Sequence, residues 1–271
     1  MNRNQAILKA IQAIALVING GKGSGNFGHT GRPGKVGGSG SGGSSTGSKR
    51  DTKESPKQES GKSSKIAKIS ETAKTMATLN KKLARAKSAS EAGPTISKLR
   101  DEVTNYLEAN GGDIKNWKKL EEAWVGNNYK PMEDAIKNGD NKELNLMREL
   151  QQEYFRQQGI KEITLYRGVY NAQAKKIKDQ LAKNGSAKLD GDYAASFTEY
   201  KESARDYADG AAFTAPDKID HSVVVSHKFK TKDVVYSTYI STFYAGNGGE
   251  EFVTTFPKGL DIDKKNVEVL K

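Results

Sequence analysis

At Gly159 the spacing of apolar residues changes from three and four to two, and that switch limits the fold more than any other feature of the chain. Before it, Ile96, Leu99, Val103 and Leu107 make one helical stripe, closed by Gly111 and Gly112. Ile114, Trp117, Leu120 and Trp124 make a second, and Leu144, Met147, Leu150 and Tyr154 a third that Gly159 ends. Pro94 is the expected opening of this helical series. After the switch, Ile163, Leu165 and Arg167 share one strand face, as do Val223, Val225, His227 and Phe229, and then Glu251, Val253 and Thr255. Helices first and strands afterwards predict an α+β domain with a mostly antiparallel sheet core and a leading helical layer. No G-x-G-x-x-G follows a strand, which argues against a doubly wound nucleotide fold. The helical stripes read as core, not as cofactor contacts.

The first third has a different composition. Residues 20–64 are rich in Gly, Ser and Lys and predict a flexible linker, because such a chain cannot bury enough to offset its ordering entropy. Residues 1–19 read as a short amphipathic helix: Ile7, Ala10, Ile11, Ile14 and Val17 recur at helical spacing, Lys9 interrupts the apolar run, and docking onto a partner protein fits better than secretion. No run is long enough to span a bilayer. Residues 65–92 predict a basic amphipathic helix, with Ile66, Ile69, Ala73, Met76, Leu79 and Leu83 on one face and Lys68, Lys74, Lys81, Lys82 and Arg85 on the other. Its basic face is either a solvated surface or a contact for nucleic acid or an acidic capsid.

Charge follows the same division. Lys and Arg outnumber Asp and Glu by 17 to 5 over residues 1–92 and stand at 27 to 28 over residues 93–271, so the net charge of +11 belongs to the tail and says little about the folded part. The predicted catalytic domain is residues 93–271, and removing residues 1–92 is expected to leave it working. The string GKGSGNFGHTGRPGKVGGSG lacks the frame of a phosphate loop. It resembles a Gly-rich segment of tailed-phage head and portal-associated proteins, which implies a capsid or portal partner and a place in a phage virion or the host cytoplasm.

With no cysteine, thiolate chemistry and Cys-ligated metals are excluded. His29, His221 and His227 show no ligand spacing, and no metal is expected. The chemistry must come from oxygen and nitrogen groups. Arg167 takes the place of the next apolar residue in the row Ile163, Leu165, so a carboxylate or a bound anion must meet its guanidinium there. Gly168 beside it has no Cβ and would let a ligand approach the backbone. Thr198 stands where an N-cap belongs, ahead of a helical stretch over residues 199–208, and Ser196 precedes it on the presumed strand. Farther along, Gly246, Gly248 and Gly249 lead into Glu250 and Glu251, of which Glu251 is the first residue on the inward strand face.

In this order, Tyr166-Arg167-Gly168, then Ser196-Phe197-Thr198, then Glu251 with apolar strand residues after it, the chain resembles the Arg–Ser–Glu class of mono-ADP-ribosyltransferases over residues 96–271. That class includes bacterial toxins and phage-encoded enzymes. The resemblance implies an ADP-ribosyltransferase fold, with two small sheets meeting at a NAD cleft behind a helical layer, and NAD as co-substrate. It implies Arg167 on the NAD phosphates, Gly168 on the nicotinamide amide and Phe213 stacked on nicotinamide. Ser196 would support the catalytic carboxylate, Thr198 would stabilise the motif, and Glu251 would bond the nicotinamide-ribose 2′-hydroxyl. The acceptor would be a host protein or a nucleic acid. Arginine-modifying members carry a second Glu two residues before the catalytic one, and Gly249 stands there in this chain, with Glu250 one residue out of register. That departure weakens arginine as the target and leaves another side chain, a nucleic acid, or water, which would make the protein a NAD glycohydrolase. A virion structural or nucleic-acid-binding protein with a silent domain is the reading from a different class.

Overall fold

A computed structural model describes residues 59–125, 128–210, 218–241 and 251–271. The expectations for residues 1–19, most of the linker, Phe213, Gly249 and Glu250 lie outside the described residues. Seven helices and eight strands are described, the strands all in small antiparallel sheets, so the molecule is α+β. Among the described residues no helix is long and apolar enough to cross a membrane.

Helix α1 (Glu59–Leu83) begins ahead of the expected residue 65 and ends at Leu83, nine residues short of the expected 92. Ala73, Met76, Ala77 and Leu83, spaced by one to six residues along one face, are buried in the same apolar core as the sheets. Asn80 Nδ2 donates to the Tyr239 carbonyl (3.1 Å), and Gln157 Nε2 donates to the Ser70 carbonyl (2.7 Å). The basic helix therefore packs as a layer of the fold, with its apolar face in the common core. Helix α2 (Ala89–Ala109) starts five residues ahead of Pro94, correcting the expected start. The local reason is a capping pair: Ser88 Oγ accepts from the Glu91 amide (3.3 Å), while Glu91 Oε2 accepts from the Lys87 amide (2.8 Å). The expected boundary at residue 93 falls inside this helix.

Helices α3 (Ile114–Val125), α4 (Lys130–Asn138) and α5 (Lys142–Gln157) complete the layer. The expected stripe residues Trp117, Leu120, Trp124, Leu144, Met147, Leu150 and Tyr154 are all buried. Strand β1 (Glu162–Tyr170) follows at the change of period, then helix α6 (Asn171–Asn184), β2 (Ser186–Leu189), β3 (Asp192–Phe197) and helix α7 (Lys201–Ala208). The chain closes with β4 (Ser222–Lys230), β5 (Val234–Ser237), β6 (Phe252–Phe256), β7 (Leu260–Asp263) and β8 (Val267–Val269).

The strands form sheets of order β1-β4-β8 and β3-β6-β5 and a pair β2-β7. The first two meet edge to edge. Tyr166 N–H donates to the Thr198 carbonyl (2.7 Å) and Thr198 N–H returns a bond to the Tyr166 carbonyl (2.8 Å). That bridge joins Tyr166, the neighbour of Arg167 within β1, to Thr198, just past the end of β3, which carries Ser196.

Candidate functional site

Glu251 is the residue immediately before β6, with 9 % of its surface exposed. Strand β6 pairs with β3 so that Ser196 faces Val253, and Glu251, two residues back, is the diagonal neighbour on the same face. Ser196 Oγ donates to Glu251 Oε1 at 2.9 Å. Trp124 Nε1, from the last turn of α3, donates to the same oxygen at 2.8 Å. Burial is the leading influence on this carboxyl and holds its pKa above the ordinary carboxylate range; the two donors oppose that, and the charge of Glu121 adds to it.

Arg167 sits on the core face of β1 with Ile163 and Leu165, as the alternation requires, and its side chain is 23 % exposed. Of the two expected partners, a carboxylate or a bound anion, Asp192 supplies a carboxylate oxygen 4.0 Å from Nη1, at the outer limit of an ion pair. The guanidinium also lies over the Phe197 ring, 5.7 Å from its centroid. A fork held by one long contact and one aromatic face keeps N–H donors for a bidentate anion such as a diphosphate.

Gly168 has a physical reason that differs from the expected one. A Cβ there would lie 2.2 Å from the Ala204 carbonyl oxygen and 2.6 Å from the Ala208 nitrogen, so the close approach is made by the α7 backbone. Since Tyr166 spends both backbone groups on Thr198, the period of two directs the Gly168 N–H and C=O to the same edge of β1, away from β4. Thr198 is buried and its Oγ1 accepts from the Tyr200 amide (3.1 Å). It therefore braces the turn before α7, whose own N-cap position, Tyr200, makes no side-chain cap.

Several groups at the site went unread in the sequence. Glu121 on α3 is fully buried and accepts from Ser241 Oγ (2.5 Å) and from the Tyr236 hydroxyl. Tyr129 packs edge-on against Trp124, with centroids 4.9 Å apart, and Tyr170 lies against Tyr207 at 6.3 Å. Burial pushes the Tyr129 hydroxyl up to about 12, and the charges of Glu251 and Arg167 both reach it. Tyr207 is pushed up in the same way and also feels both charges, so both tyrosines stay neutral within electrostatic reach of Arg167 and Glu251. One signal was present: Glu121 falls within the buried stripe of α3, three residues before Trp124 and four after Trp117. A carboxylate on a core face calls for a built partner set.

Among the described residues no cluster of three or more His, Asp or Glu is arranged to hold a metal ion. No protein-family model, curated protein or solved structure matches this chain.

Proposed function

We propose that this chain is a NAD-consuming mono-ADP-ribosyltransferase. The observation that carries the reading is the Ser196–Glu251 hydrogen bond of 2.9 Å, set at the join of two sheets where β1 also delivers Arg167. Ser196 and Glu251 are 55 residues apart in the chain and bonded in the fold, and the Tyr166–Thr198 bridge joins the strand of Arg167 to that of Ser196, which supports the reading.

The residues present fit NAD as substrate. Arg167 has donors for a diphosphate, Gly168 directs its backbone groups to the edge of β1 away from β4, and Tyr129 and Tyr207 are aromatic groups within electrostatic reach of both Arg167 and Glu251. Glu251, ionised and oriented by Ser196 and Trp124, would accept a ribose hydroxyl and stabilise the positive charge that develops as the nicotinamide–ribose bond breaks. The bonding pair leaves with nicotinamide. The acceptor adds to the anomeric carbon and gives up its proton.

The acceptor we propose is a host macromolecule, with the basic amino-terminal region joining the enzyme to a phage particle or another partner. Gly249, where arginine-modifying members have Glu, favours a non-arginine acceptor and keeps water as the second reading. Incubating the full chain with adenylate-labelled NAD and host lysate is the test. Label on a macromolecule is expected. Free labelled ADP-ribose alone would replace the transferase reading with the hydrolase one, and intact NAD would end both.

A further inference from the structure

A buried indole N–H usually bonds a backbone carbonyl or a neutral side chain, and that of the buried Trp117 bonds nothing among the described residues. Trp124 takes the one carboxylate on which the proposed chemistry depends. Its bond ends on Glu251 Oε1, the oxygen that Ser196 also occupies, so donors from α3 and β3 reach one atom from two elements. Two donors use both lone pairs of Oε1 and fix the plane of the carboxylate. A ligand hydroxyl must then bond Oε2.

The helix that brings Trp124 is itself pinned one turn earlier. Glu121 accepts from the Tyr236 hydroxyl on β5 and from Ser241 Oγ at 2.5 Å, and the Tyr236 ring lies edge-on to Trp117, four residues before Glu121, with centroids 5.3 Å apart. Trp117, Glu121 and Trp124 thus form one face of α3, fastened to the sheet that carries Glu251.

We infer that Trp124 is a positioning residue for Glu251, sharing Oε1 with Ser196, and that Glu121 fixes helix α3 in the register this requires. The inference rests on the reading of Glu251 as the acting carboxylate, and it adds α3 to the catalytic apparatus.

The electrostatics give it a signature that loss of packing does not share. The N–H of Trp124 favours the ionised form of Glu251, and the charge of Glu121 disfavours it. The Glu251 charge also reaches Tyr236, Tyr129 and Tyr207, all held protonated by burial, and the Glu121 charge reaches Arg100 on α2. Removing the indole N–H should therefore move the acid limb of NAD cleavage to higher pH, and removing the Glu121 charge should move it to lower pH.

The test compares the full chain with Trp124→Phe and Glu121→Gln, reading kcat, KM for NAD and the pH profile. For Trp124→Phe we expect kcat to fall about tenfold, the usual scale of one hydrogen bond to a charged group, with KM within about twofold. The acid limbs of the two variants should shift in opposite directions. Should Trp124→Phe fail to fold, 3-benzothienylalanine at position 124 keeps the indole shape and lacks only the N–H. A kcat and pH profile indistinguishable from wild type in either variant at position 124, or limbs that move the same way, overturns the inference. If the wild-type chain cleaves no NAD, the proposed function falls by itself. The positioning claim is then read from carbon-13 resonances of labelled glutamate, where opposite displacements of the Glu251 titration uphold it and their absence overturns it.

Discussion

Ser196 Oγ and Glu251 Oε1 lie 2.9 Å apart although 55 residues separate them in the chain, and the β3–β6 register is what brings them together. Replacing Ser196 with Ala removes one of two donors from a buried carboxylate and leaves the strand pairing unchanged. Charge-assisted bonds contribute about 1.5–3 kcal/mol, so NAD cleavage should fall roughly 10- to 100-fold in kcat. Nicotinamide release measures it, and an unchanged circular dichroism spectrum confirms that the fold survives. Wild-type turnover in Ser196→Ala would show that the bond does not bear on the chemistry.

On the proposed function, Glu251 links catalysis to stability with a definite sign. Its folded-state pKa is raised above the unfolded value, chiefly by burial. The stability it contributes is complete below the ordinary carboxylate range and is lost as pH rises through the raised folded value. In Glu251→Gln the cost of burying a charge is gone. Its melting temperature should match wild type at acid pH and exceed it at neutral pH, with the gap opening across that window. NAD cleavage should fall at least about 100-fold in the same protein, on the scale of removing one group that stabilises transition-state charge. A melting difference independent of pH would mean that Glu251 is not held above its ordinary range.

The pattern of apolar residues was enough to foresee much of this fold. The switch at Gly159 marks the passage from helices to strands, and the stripe of Trp117, Leu120 and Trp124 is buried as spaced. Arg167 interrupts an apolar face and does meet a carboxylate, Asp192. What periodicity could not supply was any contact between distant elements. Trp124 reads as core and is core, yet the partner of its N–H lies 127 residues away. The sheet join at Tyr166 and Thr198 depends on a single bridge, which leaves no trace in local spacing. Helix α2 starts ahead of Pro94 because the Ser88–Glu91 capping pair, itself visible in the sequence, fixes its first turn.

Gly168 shows how one residue can satisfy a motif for a reason the motif does not contain. Its missing Cβ makes room for the α7 backbone at Ala204 and Ala208, and main-chain atoms of a helix cannot swing aside. Gly168→Ala should therefore destabilise the domain by about 1–3 kcal/mol, the ordinary cost of overpacking, whether or not NAD is present. Denaturant midpoints measured with and without NAD check this. A variant of wild-type stability with a raised KM for NAD would instead assign Gly168 to the ligand alone.

Helix α1 is expected to set the amino-terminal boundary of the folded domain. Met76 and Ala73 are fully buried, and α1 contacts the element behind Glu251 through the Asn80 bond to the Tyr239 carbonyl; the next amide but one before it, Thr238 N–H, donates to the Glu251 carbonyl. A chain starting at residue 59 keeps every one of these contacts. A chain starting at residue 93 loses α1 and the Ser88 cap, and it exposes the faces of α2 and α5 on which α1 packs. Truncating Met76 alone to Ala should cost roughly 2–5 kcal/mol, so removal of the whole helix should exceed the stability of a domain this size. The first truncation is expected to melt cooperatively near the full-length temperature, and the second to be insoluble or without a cooperative transition. A stable, cooperatively melting chain from residue 93 would show that α1 is an appendage and that the core closes without it.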